Sequence, residues 1–398
     1  MVIAKNKLFM KILLWAPFGA GTHYWGPGTS AYRLYKANKD KDVKVTLIHA
    51  TDRQSNFPDV YDEQIALPSL ENSNIIGKIR YLIAAKRWIN KNHHKYDVVH
   101  AITAYEHTFR PMMEFVKLGK PVYMKLTGEH GGFGGNGRIS KMLGLAKKRA
   151  NRANDITGYI AISSLIKKNL LQFNIDVSRI FEIPNGVNTE RFKAVDSKEK
   201  IDLRRVLGIK DKFTFMYVGG LTFNKRVIEV VKAVALLKQK GIVDFQFVMV
   251  GPDREHGLVE PEIERLIEEN SLQEYIVRFG QTSTPEQYLQ ASDVFTLVSE
   301  SEGMSNALLE AMSCGLPALV TDISGSQDLV TNNENGKFTT GSVEDIASKL
   351  EWFLNNKNAL ESFGAKSRDI IERSYSDEYV LGEHVRMFKG IEDIKYEG

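Results

Sequence analysis

The sequence predicts an α/β protein of two parallel-sheet domains, and three observations predict it. A chain of 398 residues is too long for one ordinary hydrophobic core. Short runs rich in β-branched and aromatic residues alternate with helical spacers, as in a parallel sheet covered on both faces. A composition of 43% hydrophobic and 26% charged residues describes a globular chain rather than a disordered or membrane-spanning one.

The first run is MKILLWAP from Met10. The glycine-containing loop GAGTHYWGPGTS follows, and then a helical pattern through Tyr32, Leu34 and Tyr35. Gly19, Gly21 and Tyr24 miss the spacing of a dinucleotide fingerprint, and Pro27 removes a donor, so that reading is weak. The loop still places backbone N–H groups and the rings of Tyr24 and Trp25 at the carboxyl end of a strand, where open α/β sheets bind ligands. VKVTLIHA, YDVVHAIT, PVYMKLTG, GYIAIS and RIFEIPNGV are the next strands. A turn at Pro184-Asn185-Gly186 and a polar linker through Lys200 lead to FTFMYVGG, FQFVMVGP, IVRFGQ, VFTLVSE and PALVTDI. A last helix is expected from Asp377, with Val380, Val385, Phe388 and Ile391 on its apolar side. The expected divisions are 1–190, 191–372 and a terminal helical segment 373–398.

Charge and cysteine usage narrow the function classes. The balance of 53 basic and 49 acidic residues does not argue for nucleic acid as a partner. The single cysteine, Cys314, excludes an internal disulfide framework and fits a reducing compartment. No apolar run is long enough to cross a bilayer and no secretory leader is evident, so the expected location is cytoplasmic or peripheral to the membrane. RISKMLGLAKKRANR, in the segment 138–152, reads either as a solvated basic face or as an amphipathic helix that meets an anionic membrane or a lipid diphosphate acceptor. Asp40-Lys41-Asp42 is a D-x-D in the wrong place for metal, and His93-His94 offers nothing better, so no metal site is expected.

The stretch Ser301–Pro317 carries the strongest chemistry. Ala307, Leu308, Ala311 and Met312 recur at helical spacing, while Glu302, Asn306 and Glu310 fall at steps of four on the other side. Gly303 and Ser305 suit a helix start, Gly315 an end, and Pro317 a stop, which predicts a helix from about Ser305 to Cys314. A helix N-terminus binds phosphate oxygens, and a carboxylate at Glu310 needs hydrogen-bond donors of the kind sugar hydroxyls supply. Eight residues of helix rise about 12 Å, too far for a retaining glycosidase pair and near the span of a nucleotide sugar.

The run SESEGMSNALLEAMSCGLPALVTD, with its Glu-x7-Glu spacing, closely resembles the donor-site motif of the family 4 retaining glycosyltransferases. GYIAISSLIKKNLLQFNIDVSRIFEIPNGVNTERF resembles the end of that family's first domain. The resemblance implies the GT-B fold: two Rossmann-like domains facing a central cleft, acceptor on the first, donor on the second, with the C-terminal helix crossing back to the first. It also implies transfer of a sugar, with retention, from a nucleotide-diphosphate sugar to a glycan or lipid-linked acceptor in polysaccharide or cell-envelope synthesis, with no cofactor required.

Site roles follow from the same resemblance. Glu302 is expected at the transferred sugar and Glu310 at the ribose, with Gly303, Met304, Ser305 and Asn306 around the donor. In FTFMYVGGLTFNKR, Gly219 and Gly220 line the donor loop and Lys225 neutralises the diphosphate; Gly220 stands where the family often has arginine, and Arg226 where it often has glycine. Phe279 is a candidate for stacking on the base. In GEHGGFGGNG either His130 or Glu129 reaches the sugar, and Gly26 and Gly28 lie on the acceptor side. A sugar-nucleotide epimerase of the same architecture and a non-catalytic sugar-nucleotide binding protein remain as alternatives.

Overall fold

The computed structural model describes residues 9–21, 26–39, 43–127, 151–255 and 257–390. The chain forms two compact units, Met1–Gly186 together with Asp377–Gly398, and Val187–Ser376. Tyr24, Trp25, Asp40–Asp42, Glu129, His130, positions 138–150 and Ile391 lie outside the described residues.

The first unit holds seven parallel strands: β1 (Met10–Trp15), β2 (Val43–His49), β3 (Glu63–Ala66), β4 (Val98–Ile102), β5 (Val122–Leu126), β6 (Gly158–Ala161) and β7 (Ile180–Glu182). Their order is β3-β2-β1-β4-β5-β6-β7, so the order reverses between β1 and β4. Ile12, Leu14 and Val45 are fully or almost fully buried, which is why these strands read as continuous apolar runs rather than alternating ones. The helix Gly26–Lys36 starts earlier than expected, so Gly26 and Gly28 belong to its first turn rather than to the loop before it. Gly26 is exposed, with room for a side chain, and Gly28 is buried. The C-terminal helix Asp377–Phe388 packs against the Gly26–Lys36 helix within this unit, burying Val380 and Met387 in its core.

The second unit holds six parallel strands: β8 (Phe213–Val218), β9 (Phe245–Val250), β10 (Ile276–Phe279), β11 (Val294–Leu297), β12 (Ala318–Thr321) and β13 (Gly336–Thr339). The order β10-β9-β8-β11-β12-β13 reverses between β8 and β11. The stretch expected to be a polar linker through Lys200 is in part a helix, Ser197–Leu207, capped by Asp196 on the Glu199 amide at 2.8 Å. Its Arg204 is buried and joins Asp293 at 2.7 Å and Asp211 at 2.8 Å, an anchor that polarity alone conceals.

Candidate donor site at the strand reversal of the second unit

Parallel α/β sheets bind ligands beyond the carboxyl ends of the strands where the strand order reverses. In the second unit those are β8 and β11. The loop after β8 carries Gly219, Gly220, Lys225 and Arg226; the loop after β11 carries Glu302 through Ser305.

Backbone contacts bind these two loops to each other. The Glu300 amide donates to the Asn224 carbonyl at 2.8 Å, and the Asn224 side-chain amide donates to the Ser301 carbonyl at 3.2 Å. Across this seam Lys225 forms an ion pair with Oε1 of Glu302, and both side chains are mostly removed from water. The Ser299 hydroxyl donates to the same Glu302 oxygen at 2.9 Å, and Thr321 holds the Ser299 carbonyl at 2.6 Å. Arg226 meets Glu300 at 3.3 Å. Among the described residues the bonds to the Glu302 carboxylate fall on Oε1, and an ammonium has three donors. The pair can therefore engage a ligand through Oε2 and through the remaining Lys225 donors without dissolving.

Two glycines set how closely this seam packs. A Cβ at Gly219 would lie 2.9 Å from the Tyr217 hydroxyl, which donates to the Gly220 carbonyl at 2.7 Å. A Cβ at Gly325, after β12, would lie 2.5 Å from the Glu302 carbonyl. Burial, reinforced by the Glu302 charge, raises the Tyr217 phenol well above its ordinary range, so it stays a neutral donor.

The helix Asn306–Ser313 is capped by Ser305, whose hydroxyl accepts from the Leu308 amide at 3.3 Å, and Gly315 beyond its end has φ +74°. Two expectations change here. Glu302 is not on the helix; it lies in the preceding loop, so the helical rise of about 12 Å does not measure its separation from Glu310. The side bearing Glu310 is not a polar surface either: Leu309 and Ser313, which flank it on the helix, are buried and Glu310 itself is only 5% exposed.

The other expected residues distribute as follows. Met304 and Ser305 are buried beside Glu302; Gly303 and Asn306 are half-buried. Phe279, at the end of β10, is half-buried with its ring 5.0 Å from that of Tyr288. Arg226 has φ +51° and ψ +35°, a left-handed conformation that a residue without a Cβ adopts freely, and this explains why a glycine suits the position. Its guanidinium lies in the space a Cβ at Gly341 would occupy, 2.1 Å from Nη1. Ser299, Asn224 and Tyr217 were not singled out from the sequence; Ser299 and Asn224 do stand three and one residues before Glu302 and Lys225.

Known proteins resemble this chain in sequence and in fold. The profile described as Glycosyltransferase Family 4 matches residues 25–191, and that described as Glycosyl transferases group 1 matches residues 199–370. A capsular polysaccharide biosynthesis glycosyltransferase, CapM of Staphylococcus aureus, is 24% identical over 238 residues, 58% of this chain and 61% of that protein. An alpha-1,3-galactosyltransferase of Escherichia coli, named for UDP-Gal and a GlcNAc-diphosphoundecaprenol acceptor, is 32% identical over 164 residues, 41% of each. The matches span about half the length of these curated relatives. Among solved structures, Anabaena HepE in complex with UDP and glucose superposes with a TM-score of 0.76 at 18% identity, covering 96% of this chain and 100% of that one. A glycosyltransferase from Rickettsia africae superposes at 0.79, with 18% identity over 98% of this chain and all of the other. These likenesses show the GT-B fold, and with its two profiles covering the two units in order, the chain belongs to the family 4 and group 1 glycosyltransferases.

Proposed function

We propose that this chain is a retaining glycosyltransferase that moves a sugar from a nucleotide-diphosphate sugar to a glycan or lipid-linked acceptor in polysaccharide or cell-envelope synthesis. The observation that carries this reading is the Lys225–Glu302 pair across the β8–β11 reversal, with the capped end of the Asn306–Ser313 helix three residues away in sequence. Lys225 and the helix amides meet the diphosphate, where leaving-group charge grows during transfer. Arg226 adds a second cation. Glu302 accepts from hydroxyls of the transferred sugar, and Glu310 from the ribose. Gly219, Gly220, Gly303, Met304, Ser305 and Asn306 shape the donor bed, and Phe279 meets the base. His130 acts as a catalytic group at the transferred sugar, and Glu129, Gly26 and Gly28 serve the acceptor side. The leaving phosphate assists deprotonation of the acceptor, since no side chain presents itself as a covalent nucleophile.

The names of the relatives support a UDP-sugar as the first donor to try and a diphosphate-linked glycan as the first acceptor. The test is incubation of the full chain with labelled UDP-, GDP- and ADP-sugars, with and without acceptor, beside a thermal-shift panel of the same donors. Glycosylated product only when acceptor is present supports the proposal. An altered sugar without acceptor, or binding with no turnover across donors and acceptors, refutes it.

A further inference from the structure

The helix Ile75–Asn92 has a second apolar face that the fold does not use. Its core face is Tyr81, Ala85 and Ile89, all fully buried. Ile75, Ile79 and Ile83 repeat at steps of four on a different side, with Ile76 adjoining, and they are 76%, 50%, 47% and, for Ile76, 66% exposed. No other element of the described residues exposes more than two large hydrophobic side chains. Single exposed apolar residues need no explanation, whereas a contiguous stripe marks a contact surface.

Charge identifies the occupant. The helix carries Lys78, Arg80, Lys86, Arg87 and Lys91 and no acidic residue. Arg80, Arg87 and Lys91 follow Ile76 at steps of four, seven and four, so they run along one flank of the stripe, and all are exposed. Among the described residues only Lys86 of the five is ion-paired, with Glu114 at 3.6 Å. An apolar stripe flanked by long basic side chains is the pattern of a helix lying in a lipid interface, its isoleucines among the acyl chains and its ammonium and guanidinium groups at the phosphates. The same charges oppose a symmetric contact with a second copy, which would bring like charge against like. No described helix is long and apolar enough to cross a membrane, so the geometry fits lying on the surface and not spanning.

We infer that the Ile75–Ile83 face, with Arg80, Arg87 and Lys91, docks this protein on an anionic phospholipid bilayer. These residues are distinct in sequence from the basic segment 138–152, and the inference does not depend on the donor-site reading.

The test is co-sedimentation of the full chain with vesicles of phosphatidylglycerol and phosphatidylcholine in about equal parts, and with pure phosphatidylcholine vesicles. Wild type should sediment with the anionic vesicles and release as salt rises. Ile76→Glu with Ile79→Glu, and separately Arg80→Glu with Arg87→Glu, should each lower the partition coefficient by about tenfold or more while leaving the circular dichroism spectrum unchanged, because every altered side chain is exposed. The inference is overturned if wild type ignores anionic vesicles, or if the variants bind as wild type does and the basic segment 138–152 alone accounts for binding. It is equally overturned if the isoleucine pair proves to hold a dimer in light scattering without vesicle binding.

Discussion

The two sheets reverse their strand order in the same way and put opposite electrostatics beside the reversal. In the second unit the charged groups beyond β8 and β11 are paired and only partly covered: Lys225 with Glu302, mostly removed from water, and Arg226 with Glu300, whose carboxylate is exposed. In the first unit the ionisable groups on β4 and β5 are sealed. Lys125 is 1% exposed with Nζ 3.3 Å from the Ser30 hydroxyl, which in turn donates to Asn185 at 2.7 Å. Burial lowers Lys125 to about 8 despite the opposing pull of Asp377. His100 bonds the Tyr35 hydroxyl at 2.7 Å, and the His384 ring lies 5.4 Å away on the returning C-terminal helix. Burial pushes His384 to about 3, and pushes His100 well below its ordinary value, with His384 and Lys125 adding to the effect. One topology thus serves two ends. The partly covered ion pairs of the second unit are the ones the proposed donor would meet, whereas the buried groups of the first unit fasten the Asp377–Phe388 helix to its sheet.

The sharpest way to break the contrast is at the Lys225–Glu302 pair. Lys225→Ala should lower kcat by about a hundredfold to a thousandfold, the size of losing one preorganised charge at a leaving group, with the melting temperature little changed. Comparable turnover in the variant would remove the ligand role from the second unit. Glu310→Ala should raise the dissociation constant for the donor by roughly tenfold or more in calorimetry, the cost of about one charge-assisted hydrogen bond. An unchanged constant would return Glu310 to a structural part.

The sealed groups make a prediction of opposite kind, in stability and not turnover. His100 and His384 stay neutral in the folded chain while the unfolded chain takes up protons below about pH 6.5. The unfolded state therefore binds more protons from there down to about pH 3, and stability falls as pH drops through that window. The slope should reach up to about 1.4 kcal/mol per pH unit for each histidine in denaturant titrations. His384→Phe should flatten it, and a slope unaltered by that substitution would show that the histidines are not the responsible groups. The smallest effect belongs to Arg226→Gly. Relief of its left-handed backbone should stabilise the fold by about 1 kcal/mol, read as a raised melting temperature, while donor affinity falls.

Much of the fold was legible because buried parallel strands announce themselves as apolar runs. Two strands escaped: β3, Glu63–Ala66, and β13, Gly336–Thr339. Both lie at sheet edges, are four residues long and half-buried in part, so neither supplies the run that marks a central strand. At the site, Ser305, Gly315 and Pro317 fixed the helix limits through capping chemistry that is local. The depth of Glu310 was not legible, since it comes from strands and helices far away in sequence. Nor was the Ile75–Ile83 face: periodicity reports that a helix has apolar sides, but not which of two sides the fold covers.

The contact between Gly325 and the Glu302 carbonyl has a consequence for anyone who would re-engineer this protein. Since no side chain fits at 325 without pushing the Glu302 segment outward, the stretches after β11 and β12 must be redesigned together. A library that varies 299–304 should hold 325 as glycine. One that varies 325 alone will mostly sample displaced carboxylates, and loss of activity there would report a shifted backbone and not an altered preference for sugar.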